Sequence, residues 1–323
     1  MRLYGLNICM NLKHLSDDNL LTETKVMATT EREATLTVLK YLREVERRKL
    51  FLRRGFSSLF DYVVKELHYS EGSAQRRIAS MRLMNAIPAI QKKIEDGVLP
   101  LSTLSQAQTF FRQEAITSPV QKMEVLERLE GKTSREVEKL LVCESTSPEK
   151  LIREKVRPLS ESHHHLSLTI SSDLLDKLTE LKSLLAHRNP SMDTAKLLEI
   201  LTEESLAKHR IKAPKLPPAP AAEAKNKLAV TGAVQKRSRN IPANIKRRIW
   251  VRDDGKCTYK DPMTGRSCES KHFLQVDHKV PFAAGGDASE ENLRLLCFAH
   301  NQLAAVDYFG TASLRHSIQR RTS

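Results

Sequence analysis

The sequence predicts an α+β multidomain protein, with a mainly helical N-terminal region and a small mixed C-terminal domain. Three observations carry that prediction. From Asp17 to about Leu140 glycine and proline are sparse, and leucines recur at helical spacing. A stretch rich in proline, alanine and lysine then separates this region from the C-terminal end. Of the five cysteines, Cys257, Cys268 and Cys297 gather in that last part, while Cys9 and Cys143 lie far upstream.

Composition narrows the partners. The chain has 323 residues, room for two or three domains, with 40% hydrophobic and 28% charged residues. Its net charge is +14 and its pI about 9.6, which favours a polyanion through counterion release; an anionic membrane is the competing partner. Aromatic residues make up only 5%, so a stacking platform for single strands is not a theme. No apolar run approaches the roughly 18 residues that cross a bilayer, and no signal-peptide pattern follows the first residues. A cytoplasmic protein with no membrane partner is expected. In a reducing compartment an odd, uneven set of cysteines points to metal rather than to disulfides.

The first 15 residues are expected to be a flexible N-terminus, with a helical domain over 16–145. Leu36, Leu39, Leu42 and Val45 recur at three-residue steps among Glu44, Glu46, Arg47 and Arg48, the mark of an amphipathic helix that Gly55 would end. A second helix is expected from about Ser57 to Leu67, and Ser70 can cap a third running to about Asn85. The pair fits a helix-turn-helix in which the second helix exposes Gln75, Arg76 and Arg82 to bases or phosphates; a plain helical hairpin fits as well.

Residues 160–210 change character. Leu166, Leu168 and Ile170 alternate with Ser167 and Thr169 as in a strand. A helix from Asp173 and another from about Asp193 follow. One strand and two helices resemble, in pattern, the ribbon-helix-helix arrangement of dimeric DNA-binding proteins, which opens a homodimer; a strand and helix pair packed on the first domain fits equally. The segment 211–240 is a basic linker, with Pro214, Pro217, Pro218 and Pro220 and seven Lys/Arg against the single Glu223.

The chemistry lies in 241–323. Cys257 and Cys268, ten residues between them, precede the close pair Cys297 and His300. Four such ligands suit a tetrahedral Zn²⁺, a structural staple for a domain too small to bury much core; small apolar core cysteines are the alternative. Between the pairs, Phe273–Val276 reads as a strand leading into Asp277-His278, then Pro281 and Gly285-Gly286. Glu291–Cys297 reads as a second strand, and a helix opens at Phe298 and carries Asn301.

Asp277-His278, Pro281, Gly285-Gly286, Asn292-Leu293 and Cys297-x-x-His300-Asn301, in this order, resemble the signature of HNH endonucleases over roughly residues 241–310. The resemblance implies a ββα-metal fold, zinc-stapled here, and metal-dependent hydrolysis of phosphodiester bonds. Asp277 and Asn301 would hold Mg²⁺ or Mn²⁺, His278 would be the general base, and Asn292 would orient its imidazole and fix the loop. Two departures stand out: Lys260 where many relatives have a second close cysteine, and Asn301 where many have histidine. An amide oxygen favours the harder ions. Arg247, Arg248 and Arg294 are candidate phosphate contacts. The expected partner is DNA, double-stranded, with an RNA-directed nuclease and a non-catalytic zinc-containing DNA-binding regulator as rivals.

Overall fold

The computed structural model describes residues 12–151, 154–185, 192–209 and 240–322, with side chains at 150, 209 and beyond 310 left undescribed. Most of the expected flexible N-terminus and all but Asn240 of the expected basic linker lie outside the described residues. The elements run α1 (Asp17–Arg48), α2 (Leu50–Arg53), α3 (Leu59–Lys65), α4 (Glu71–Ala86), α5 (Ile90–Glu95), α6 (Leu101–Gln113), α7 (Pro119–Leu129) and α8 (Ser134–Glu144). There follow β1 (Lys155–Pro158), β2 (His164–Ser167), α9 (Ser172–Leu185), α10 (Thr194–His209), α11 (Ala243–Arg252), β3 (Leu274–His278), β4 (Leu293–Cys297) and α12 (Phe298–Thr322). The mostly helical composition with small two-stranded sheets agrees with the expected α+β class. No described helix is long and apolar enough to cross a membrane.

The chain divides into two compact units. Of the described residues, one comprises those up to Lys49 together with those of Leu59–Leu168; the other comprises Leu50–Ser58 together with those from Thr169 onward.

In the first unit local rules are well obeyed. Ser16 caps α1, its side chain accepting from Asn19 N–H, with Asp17 and Asp18 in the positive first turn and Arg47 and Arg48 in the negative last one. Leu36, Leu39 and Leu42 are its buried stripe. The helix stops at Lys49, which adopts φ 52°, several residues before the expected stop at Gly55; Gly55 instead follows the short α2, at φ 77°. Ser70 caps α4 as expected. The Thr133 side chain and Glu136 close a reciprocal capping box that opens α8. Helix α4 packs chiefly on α6, and α3 on α4 across a turn in which His68 takes φ 57°.

The strand expected over Leu166–Ile170 is instead β2, ending at Ser167 and paired antiparallel with β1, a strand the sequence did not announce; every residue of both is exposed. In the second unit α9 and α10 pack on each other, and Leu197 is their fully buried residue.

The C-terminal part of this unit is a two-stranded antiparallel hairpin between two helices. β3 and β4 pair from Leu274 opposite Cys297 to His278 opposite Leu293. Alternation along the strands sorts the side chains. Leu274, Val276, Leu293 and Leu295 pack against Ile245, Ile249 and Trp250 of α11. Leu296 instead joins Cys257, Cys297 and the helix residues Ala299 and Ala304. Arg252 and Asp253 bolt α11 to β4: Arg252 donates to the carbonyls of Glu290 and Leu293, and Asp253 accepts from Leu295 N–H at 2.8 Å. Gly255, at φ 56°, is the turn that makes this possible, because a Cβ there would stand 2.9 Å from Trp250 Nε1.

Candidate active site and metal centre

Two groups of polar side chains occupy opposite roles in the C-terminal hairpin. The first is the sulfur cluster. Donor atoms of Cys257, Cys268, Cys297 and His300 all lie within 4.8 Å of one another. Cys257, Cys297 and His300 are buried, His300 completely. Nδ1 of His300 faces the sulfurs, 3.3 Å from Cys297 Sγ and 3.5 Å from Cys257 Sγ.

Folding back of the loop brings Cys268 home across its ten-residue gap. Lys260 bridges Ser267, Asp261 N–H donates to the Arg266 carbonyl and Cys268 N–H to the Tyr259 carbonyl. The turn is built on Asp261, only 2% exposed, whose carboxylate accepts from Met263 N–H at 2.9 Å and from the Thr264 hydroxyl at 2.5 Å. An Asp-Pro followed by Thr-Gly is a turn signal, and the sequence therefore contained the means of closing this gap.

The donor set fits zinc. Three thiols this close cannot all ionise without a cation. Contacts with Cys257 and Cys297 push the Cys268 thiol up, while contacts with Cys257 and Cys268 hold the Cys297 thiol down. Burial would lower the His300 imidazole, but the Cys257 and Cys297 sulfurs outweigh it and raise the ring to about 9. A buried cluster that attracts positive charge, with three sulfurs and one imidazole nitrogen in a closed set, can hold a tetrahedral Zn²⁺. His300 is further steadied by Tyr259, whose ring stacks on it at 4.0 Å and 6°.

The second group lies at the end of β3. Asp277 and His278 are the last two residues of the strand, so their side chains leave opposite faces. The strand begins after Phe273, which takes φ 50°. Asp277 shares its face with Gln275, and the Asn301 amide on α12 donates to Gln275 Oε1. The carboxylate and the helix asparagine therefore occupy one face of the hairpin. Across the ladder Arg294 Nε donates to Asp277 Oδ2 at 3.1 Å, so this candidate phosphate contact is engaged with the carboxylate. The partly exposed His278 has its ring 6.4 Å from that of Phe282, centroid to centroid.

Asn292 does not reach the imidazole by any described hydrogen bond; its amide staples the loop. Oδ1 accepts from Val280 N–H at 2.8 Å, and Nδ2 donates to the carbonyls of Val280 at 3.1 Å and Asp287 at 2.8 Å. Gly286 is required at the same spot, since a Cβ there would lie 1.8 Å from the Val280 carbonyl oxygen and 2.8 Å from Asn292 Nδ2.

The other candidate contacts are dispersed. Arg247 is exposed on α11, and Arg248 pairs with Glu290. In the first unit Arg76 is exposed on α4, where with Gln75, Ser102, Gln106, Ser134 and Lys155 it lines a cleft of about 420 Å³. Arg82 is bound to Glu46 of α1 at 2.6 Å. Sequence reasoning passed over Gln275, Tyr259 and Asp261. Only the last carried a local signal, because the other two owe their contacts to distant packing.

No curated protein and no solved structure matches this chain. The family model for HNH endonucleases matches residues 263–303, a span that runs from the Cys268 turn through Asp277, His278 and Asn292 to Asn301, and the C-terminal end of this chain is therefore an HNH endonuclease domain.

Proposed function

We propose that this domain hydrolyses phosphodiester bonds of double-stranded DNA, with His278 as general base. The observation that carries the proposal is the shared face of Asp277 and Asn301, with His278 following Asp277 at the strand end. Oxygen donors of the Asp277 carboxylate and the Asn301 amide are a hard set suited to Mg²⁺ or Mn²⁺. With its Nδ2 on Gln275, Asn301 has its Oδ1 left to accept. A divalent cation bound there would relieve charge on the phosphoryl oxygens and on the departing oxygen.

The protein's own groups do the rest. His278 removes a proton from the attacking water, the work of a general base for which an imidazole nitrogen is suited. Asn292 and Gly286 hold the Val280–Asp287 loop beside that imidazole, so the base is positioned through backbone rather than through its ring nitrogen. Arg294 is placed to exchange its Asp277 partner for a phosphate oxygen. Cys257, Cys268, Cys297 and His300 would hold a structural Zn²⁺ that fastens the turn, β4 and α12 together. Arg76, Arg247 and Arg248 are proposed as further phosphate contacts, and the net charge of +14 supports a nucleic-acid partner.

The test is incubation of the full chain with supercoiled plasmid and Mg²⁺ or Mn²⁺, beside His278→Ala and an EDTA control. Nicking that disappears in both controls supports the nuclease and its base. Binding without cutting under either metal would turn the assignment to a zinc-containing regulator of DNA. Preference for an RNA duplex over the plasmid would reassign the substrate.

A further inference from the structure

The segment Leu50–Ser58 packs with the C-terminal domain, although it lies about 200 residues upstream of it. Several contacts hold it there. Leu52 and Phe56 are 4% and 3% exposed. The Arg266 guanidinium lies over the Phe56 ring at 4.5 Å, and Tyr259 Oη donates to the Arg53 carbonyl at 3.4 Å. Arg53 Nη2 meets Asp307 Oδ1 of α12 at 2.7 Å. Gly55 passes so close to the Cys257–Cys268 turn that a Cβ would stand 2.9 Å from the Arg266 carbonyl oxygen, at a φ of +77° that already disfavours any side chain.

The decisive contact is with the metal cluster itself. His300 Nε2 lies 2.9 Å from the Leu52 carbonyl oxygen, while Nδ1 faces Cys257 and Cys297. A carbonyl can only accept, so Nε2 carries a hydrogen, and in the neutral ring that a metal ligand must be, Nδ1 has its lone pair directed at the sulfurs. Second partners of this kind fix the tautomer and ring plane of a metal-binding histidine and raise its basicity.

We propose that residues 50–58 are a built-in part of the metal centre, a strap whose Leu52 carbonyl sets His300 for metal binding. The proposal rests on the zinc assignment of the four-residue cluster. It extends the working domain beyond the residues 263–303 that the family model matches. Zinc held by this chain is thus retained jointly by the C-terminal cluster and by a segment from the N-terminal half.

The experiment uses the full chain, purified with its zinc, and two variants that displace the strap without touching a ligand: Gly55→Val and the milder Phe56→Leu. Zinc transfer to a chromogenic chelator is timed, and the Co²⁺-loaded forms are compared by their visible spectra, which report the S₃N ligand field. Expected are one zinc per chain in the wild type, release about 10-fold faster in both variants with helix content unchanged, and an altered cobalt spectrum. Release and spectra identical to wild type in both variants would overturn the strap while leaving the metal centre intact. A wild-type chain that carries no zinc and takes up no cobalt would overturn the metal centre itself, and the strap with it.

Discussion

Arg294 stands directly across the β3–β4 ladder from Asp277, its Nε 3.1 Å from Asp277 Oδ2. The guanidinium and any cation at Asp277 compete for the same carboxylate. Both side chains are partly exposed, 30% and 19%, so the pair itself adds at most about 1 kcal/mol to stability. Arg294→Ala is therefore expected to leave thermal stability nearly unchanged and to lower the Mg²⁺ concentration that half-activates cleavage. It should also weaken plasmid binding and reduce the slope of binding against salt by about one contact. A metal titration and a salt series check both. An unchanged metal requirement would show that Asp277 is not the cation's ligand.

Asn292 and Gly286 form a second testable pair. Asn292 makes three hydrogen bonds to loop backbone, each contributing about 1 kcal/mol net, reduced where water can substitute. Asn292→Ala is expected to cost about 1–2 kcal/mol and to depress kcat through the displaced base. Asn292→Asp keeps the acceptor for Val280 N–H but sets carboxylate oxygen against two carbonyls, and should do no better. Gly286→Ala is expected to be worse than either, because its Cβ meets backbone at 1.8 Å rather than a yielding side chain. Denaturant melts beside single-turnover cleavage separate stability from positioning. Wild-type rates in Gly286→Ala would contradict the rigid loop.

How much of this was legible beforehand depends on the range of each interaction. Ser70, the buried leucines of α1 and the ordered run from Asp277 to Asn301 act through local spacing, and a single sequence displays local spacing. The strap does not. Leu52 and Phe56 look like ordinary apolar residues of an N-terminal helix, and nothing near them announces His300 as a partner. Asn292 marks an intermediate case: its presence in the motif was plain, but whether its amide meets an imidazole or a backbone depends on how the Val280–Asp287 loop folds. Strand β1 was hidden by its Lys-Val-Arg-Pro sequence, which has too little alternation to register.

Metal removal gives a direct prediction. The C-terminal hairpin has small cores around Ile249 and Leu296, so a zinc held by the four-residue cluster would act as its staple. Prolonged treatment with a strong zinc chelator, or Cys268→Ser, is expected to unfold this domain while the helical unit keeps its far-UV signal. Hydrogen exchange should show protection lost over residues 257–303 and retained in α4 and α6. Uniform protection after zinc loss would mean that the cluster is not a staple.

Asp261 offers a pH test. Hydrogen bonds from the Thr264 hydroxyl and Met263 N–H, with Arg54 nearby, hold its carboxyl below the usual carboxylate range. A group depressed in the folded state stabilises fully above its unfolded pKa, and that contribution fades as pH falls through the folded value. The turn that returns Cys268 to the cluster should therefore loosen in acid. Thiolate protonation also releases zinc in acid, so wild type and Asp261→Ala must be compared at each pH rather than wild type alone. Their difference in stability is expected to be constant from neutrality down to the ordinary carboxylate range and to shrink below it. A difference that stayed constant through strong acid would mean that Asp261 acts by shape alone, without its charge.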